Sequence, residues 1–303
     1  NARRGVNVVR DDVGAATGRL ALLREVGASA ISRWLPFDID DAQLLAHARQ
    51  AQMTPWRVPV TVRELLIDHA FGREAMRATL ERLGRRFEPD RTWRGGSRGL
   101  ASIPPPDLLI GSGGALARTP RLAQAVLQML DAAEPTRLTQ LALDRSTSMA
   151  LLGVLGYMGG SLAVGTDLEH DVLLSLGICV APEGKGHEGD TAIRVEVIYS
   201  DRAPLHVDVP FGVIEILPLP IGERAALKLY PSRDFDVGLG KGEAAAPRVE
   251  VQGGAVGIVI DCRGRPLVLP DDNEKRQAKL LQWFQALRAY PALSFVENGK
   301  ADI

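Results

Sequence analysis

The chain has 303 residues, 46% hydrophobic and 24% charged, with a formal net charge of −1, a composition that suits a globular protein of two or three domains. A charge so near zero argues against a generic polyanion-binding surface, and no apolar run approaches the roughly 20 residues of a membrane-spanning helix, so neither nucleic acid nor membrane is an expected partner. No signal peptide is visible, and the opening at Asn1 reads as mid-domain sequence, so the chain is expected to be a fragment of a longer protein.

Residues 1 to 18 place a short strand, Val6 to Val9, ahead of a turn with Asp11, Asp12 and Gly14. From Thr17 to Leu83 the apolar spacing is helical. Leu20, Leu22, Leu23 and Val26 mark one short helix, Asp41 to Gln52 a second, and Val62 to Leu83 a third bearing Leu65, Leu66, Ala70, Met76 and Leu80. Ser32 to Pro36 and Met53 to Arg57 connect them. His47 and His69 fall on these helices and are expected at surface or capping positions. Phe87 to Ser102, with Arg91, Arg94 and Arg98, reads as a solvated loop, with a phosphate contact as the alternative.

Leu108, Leu109 and Ile110 read as a fully buried strand that starts sharply, because Pro104, Pro105 and Pro106 cannot continue a ladder. The run breaks into Gly111, Ser112, Gly113 and Gly114, where glycine permits positive φ and leaves no Cβ in the way of a bound group. A helix follows to Ala133 with Leu122, Val126, Leu127 and Leu130 on one face, started by Thr119 and Pro120. Arg137 to Leu143 is strand-like, Asp144 ends it, and Thr147 to Tyr157 is helical. A glycine cluster after a strand is by itself equally a tight turn or a ligand loop.

Beyond Gly160 the pattern changes. Asp167 to Leu176 suggests a short helix, and strands with period-two alternation follow at 193–198, 206–209, 213–217, 225–230, 248–251 and 256–261. Six short strands separated by Gly and Pro turns suggest a separate small barrel or sandwich, covered by a final helix over Asn273 to Ala289. Cys179 and Cys262 sit in apolar runs and are expected as buried free thiols, which fits the cytoplasm. Gly184 to Gly189 lacks phosphate-loop spacing and is followed by a strand. Asp234 and Asp236 have no companion of metal-ligand spacing, and Asp261 to Pro266 reads as a turn. No nucleophile, base or metal arrangement appears, so no catalytic residue and no metal ligand is assigned.

The order strand, Gly111-Ser112-Gly113-Gly114, helix, strand ending in Asp144, and a helix containing Ser148 to Leu155 resembles the nucleotide-binding lobe of actin-like ATPases. In particular it is similar to the MutL-like accessory family of glutamate mutase, unrelated to the mismatch-repair protein of that name. Ser112 stands where that family usually has Thr, and Arg82 to Arg85 loosely occupies the place of a family Arg-His-Ala-Gly segment without its histidine. Val9 to Ala16 aligns better with a family segment downstream of the second phosphate loop than with a phosphate loop itself. Asp12 to Thr17 as a phosphate loop remains the alternative.

The resemblance covers residues 1 to 165. It implies an α/β fold, a partial actin-like ATPase lobe with a helical insert, followed by the all-β barrel or sandwich and its C-terminal helix. The expected division is a mainly helical part at 1–90, the α/β end of the lobe at 91–165, and the β-rich appendage at 166–303. The intact protein would be an accessory or reactivation factor for a cobalamin-dependent mutase, using ATP and magnesium. Gly111, Ser112, Gly113 and Gly114 would face the adenosine, with Asp144 at the end of the next strand. Phosphate and metal contacts would lie outside this stretch, leaving it inactive alone. The competing expectation is a non-catalytic protein-binding module whose glycine loop is structural.

Overall fold

The computed structural model describes residues 12, 14–15, 17–86, 103–158, 172–238, 240–242 and 248–291. The expected strand at Val6 to Val9 and the arginine-rich loop fall outside the described residues, as does the first half of the Asp167 to Leu176 helix.

Short polar side chains start the long helices of the first part. Helices α1 (Arg19–Val26) and α2 (Ala28–Ser32) are followed by α3 (Asp41–Met53), where Asp40 accepts a hydrogen bond from Gln43 N at 2.7 Å. The longest, α4 (Val62–Gly84), begins where Thr61 Oγ1 accepts from Glu64 N at 3.1 Å and Glu64 reaches back to Val60 N at 2.9 Å. Each arrangement satisfies backbone donors that a helix start leaves open. Leu22, Ile31, Leu44, Leu66 and Phe71 are wholly buried between these helices, at about 1.5–3 kcal/mol of apolar transfer each. His69 departs from expectation. It lies on the buried face of α4, with Nδ1 2.6 Å from the Tyr290 hydroxyl.

The sheet begins at β1 (Leu108–Gly111), continues through α5 (Gly114–Ala117) and α6 (Leu122–Ala133), and returns as β2 (Arg137–Asp144) parallel to β1. The apolar spacing of α6 matches the helix, but its start is not at Thr119. Arg121 is the cap, its N–H donating to Gln124 Oε1 at 3.1 Å, while Thr119 Oγ1 donates to Leu116 O and closes α5. Strand β1 is an edge of its sheet rather than a buried strand, and Leu108 is 45% exposed. Helix α7 (Met149–Tyr157) follows β2 and buries none of its residues.

No barrel closes. The first strand of the β-rich part, β3 (Leu173–Ala181), takes in Leu173 to Leu176, which the sequence suggested as helix, and pairs antiparallel with β2 along its whole length. A small two-stranded antiparallel sheet pairs β4 (Glu183–Gly184) with β9 (Phe235–Asp236). The strands β5 (Thr191–Tyr199), β6 (Leu205–Pro210), β8 (Arg224–Pro231) and β10 (Val249–Gln252) form an antiparallel sheet in the order β10-β8-β5-β6. The remaining two, β7 (Ile214–Leu217) and β11 (Gly257–Asp261), join the first sheet, whose order is β1-β2-β3-β11-β7. One mixed sheet therefore crosses the expected boundary at residue 165.

Alternation along the central strands explains the layering. Cys179 on β3 and Val259 on β11 face a core shared with α4, α6 and α8 (Asn273–Ala286), whereas Ile178, Val180, Ile258 and Ile260 face the antiparallel sheet. Helix α8 is fixed by buried Leu280, Trp283 and Phe284, and the Trp283 indole donates to Gly212 O at 2.9 Å. Cys179 and Cys262 are buried and free, as their apolar surroundings suggested, and burial pushes the Cys179 thiol up to about 12.

The largest departure from sequence expectation is the segment after β11. Asp261 to Pro266 holds a buried ionic cluster. Arg263 bridges Asp261 (2.9 Å) and Asp131 (2.7 Å), Arg265 adds a contact to Asp261 at 2.8 Å, and Arg73 Nε donates to the other Asp131 oxygen at 2.7 Å. Arg77 and Glu134 pair at its margin.

Candidate functional site

Parallel pairing of β1 with β2, in register from Leu108↔Gln140 to Gly111↔Leu143, brings both strand ends to one side of the sheet. This is the end at which open α/β sheets bind ligands. Among the described residues, the five expected site residues all collect there, but they divide into three kinds.

Gly111 is closely packed. A Cβ there would come within 2.8 Å of the Met129 sulfur and 2.9 Å of Leu116 Cδ1, so the strand end packs closely on α5 and α6 and a larger residue would make those side chains shift. Gly113 and Gly114 face open space. Gly113 has φ +92 and an added Cβ would meet nothing within 4 Å, while at Gly114 the nearest atom is Arg118 Nε at 4.0 Å. Together they form a bare backbone shelf, against which a flat ligand can lie without meeting a side chain.

Ser112 and Asp144 make direct contact. The Ser112 hydroxyl donates to Asp144 Oδ2 at 3.0 Å, tying the glycine loop to the end of β2. Asp144 also accepts from Met149 N (3.1 Å), Ser148 N (3.1 Å) and Ser146 Oγ (3.2 Å). Asp144 exposes no surface. Burial alone would raise its pKa, but the donors from Met149, Ser112, Ser148 and Ser146 outweigh this and hold the carboxyl below its ordinary range. Asp144 is therefore an ionised anchor with its acceptor sites occupied, suited to holding the shelf and the start of α7.

The turn it holds is strained. Thr147 has φ 55, the left-handed region that costs a β-branched residue about 1–2 kcal/mol. Sequence reading missed Ser146 and Ser148 as partners of Asp144. The signal was present in Asp144-x-Ser146-x-Ser148 before an apolar run, a helix start in which the carboxylate sits upstream of the usual cap position. We expect Asp144→Ala to cost about 1 kcal/mol, the scale of a lost cap, and to speed amide exchange at Ser148 and Met149 selectively. Unchanged exchange there would show that Asp144 does not hold the turn.

The family-model comparison matches the MutL protein family over residues 3–165, more than half of the chain. The chain belongs to the MutL protein family. The matched stretch of this MutL protein contains every expected site residue and ends before β3, so the β-rich layers lie beyond it. Neither a curated protein nor a solved structure matches the chain significantly. Among the described residues, no group of three or more His, Cys, Asp or Glu is placed to hold a metal ion, and no helix is long and apolar enough to cross a membrane.

Proposed function

We propose that this chain is part of an ATPase-like accessory or reactivation factor for a cobalamin-dependent mutase of the glutamate mutase type, acting in the cytoplasm. The observation that carries the reading is the Ser112–Asp144 hydrogen bond between two parallel strand ends within the family-matched stretch. Gly113 and Gly114 present the open shelf for the adenosine of ATP, Ser112 fixes the shelf's height, and Asp144 fixes Ser112. Bound ATP would supply the free energy of phosphate cleavage. The described residues do not fit a magnesium site, and no part of the proposal runs through the metal.

The 303 residues contain no Asp-x-Gly-[Ser/Thr]-Thr segment of the kind that cradles phosphates in such folds. Each missing charge-assisted contact is worth about 1.5–3 kcal/mol, and each ~1.4 kcal/mol is tenfold in affinity. Calorimetry of residues 1–303 with magnesium-ATP is therefore expected to show millimolar binding or weaker, and no hydrolysis. Gly114→Val is the clean obstruction, because Gly113 has a positive φ and any side chain there adds strain. Adenosine titration followed by NMR should shift the amides of Gly113 and Gly114 in the native chain and not in Gly114→Val. Tight ATP binding by these residues, or adenosine shifts elsewhere, would place the nucleotide site outside the shelf.

A second reading has its own observation. The packing role of Gly111 is what a purely structural loop requires, and a protein-binding module would show no adenosine shifts at all.

A further inference from the structure

The link between α3 and α4 inverts the usual arrangement of a surface turn. Met53, Trp56, Val58 and Val60 are 78%, 75%, 66% and 78% exposed within one eight-residue stretch, while the polar groups of the same stretch are tied down locally by hydrogen bonds to one another and to the neighbouring helices. Thr54 N and Oγ1 both donate to Gln50 O at 2.9 Å, and Arg57 N donates to Thr54 O at 3.0 Å. Arg57 pairs with Glu64 at 2.6 Å, and the other oxygen of that carboxylate takes Val60 N. Pro55 and Pro59 further restrict the backbone. The apolar side chains are thus presented on a preorganised frame, which lowers the ordering cost of binding.

Trp, Met and Arg are the residues over-represented in the centres of protein interfaces. The charge around the patch is one-sided. Glu64 is paired with Arg57 and Asp68 with Arg19, whereas Arg49, exposed on the last turns of α3, has no carboxylate partner among the described residues. The complementary surface is apolar with a carboxylate rim. An anionic membrane is recruited by clusters of about 4–8 basic residues, more than this patch offers, so a protein surface fits better.

We propose that Met53 to Val60 is the docking surface of this chain for its protein partner, with Trp56 and Val58 as anchors and Arg49 facing an acidic rim. Resting on the proposed function, the partner is the cobalamin-dependent glutamate mutase. The site is remote in sequence from the glycine shelf and separable from it by mutation.

The test is biolayer interferometry between the chain and purified glutamate mutase at two salt concentrations. The Trp56→Ser/Val58→Ser variant removes only exposed side chains, so its melting temperature should stay with the native chain while its affinity falls at least tenfold. Arg49→Glu should weaken binding further at low salt than at high salt. Leu151→Ser/Val154→Ser on exposed α7 should bind as the native chain does. Native affinity in the loop variant overturns the docking site and leaves the proposed function standing, whereas no binding by the native chain overturns both. Trp56-dependent dimerisation without mutase, or Trp56-dependent capture by phosphatidylserine vesicles in place of mutase, would also overturn it.

Discussion

Asp131→Asn should be the most destabilising single substitution among the polar residues described. Asp131 lies between two buried guanidinium groups, accepting from Arg73 Nε and Arg263 Nη1 at 2.7 Å each. The buried cluster counts Arg73, Arg263 and Arg265 against Asp131 and Asp261, so it already has one more positive than negative charge. Neutralising Asp131 leaves Arg263 its contact with Asp261, but leaves Arg73 with no carboxylate. The Nη atoms of Arg73 already lack hydrogen-bond partners. Breaking one side of a buried ion pair costs about 3–5 kcal/mol, because the surviving charge stays desolvated, whereas removing both sides costs less. Denaturant unfolding should therefore show that full loss in Asp131→Asn and partial recovery in Asp131→Asn/Arg73→Met. If the double variant is as unstable as the sum of its parts, the charge argument is wrong and the cluster matters through packing alone.

His69 should make the fold sensitive to mild acid. Burial, reinforced by the positive charge of Arg73, pushes its pKa down to about 3. The folded chain thus keeps the ring neutral while the unfolded chain protonates it near the ordinary 6.5. A folded pKa below the unfolded one means that the unfolded state binds more protons between those values, so stability falls as pH drops from about 6.5 towards 3. The span corresponds to a loss on the order of 4 kcal/mol across that window. Asp261 adds to this at lower pH. Burial opposes its charge, but Arg263 and Arg265 hold its carboxyl well below the usual range, and its contribution is lost only in strong acid. Melting temperatures from pH 7 to pH 4 should decline steeply in the native chain and more shallowly in His69→Asn, which keeps a polar partner for Tyr290. Parallel declines would assign the acid sensitivity to other groups.

The elements were legible where their cause is local. The helical spacing in α3, α4, α6 and α8 and the alternation in β5, β8 and β11 are properties of ten or twenty adjacent residues. So was the strand-glycine-helix order that placed Gly111 to Gly114, and Asp144, at one end of the sheet. What failed depends on distant partners. Nothing near Leu108 signals that β1 is an edge, because that follows from which strands β2 pairs with. Nothing near Leu173 signals that β3 completes the sheet of the preceding part rather than opening a barrel. His69 and Tyr290 are 221 positions apart, and Asp131 and Arg263 are 132 apart. Charged residues in a segment rich in Gly and Pro resemble a solvated turn until the fold encloses them.

Pairing of β2 with β3 also bears on how the chain reaches its native state during synthesis. When residue 165 leaves the ribosome, the family-matched stretch is complete in sequence but the inner edge of β2 still has open backbone donors and acceptors. Residues 173–181 must emerge to fill it, and β3 in turn waits for its parallel neighbour at 257–261. Such long-range closures are slow and leave strand edges open to wrong partners. A gene fragment cut at the end of the family match should accordingly yield aggregates rather than a smaller folded protein, because the cut separates β2 from the strand that pairs with it along its whole length.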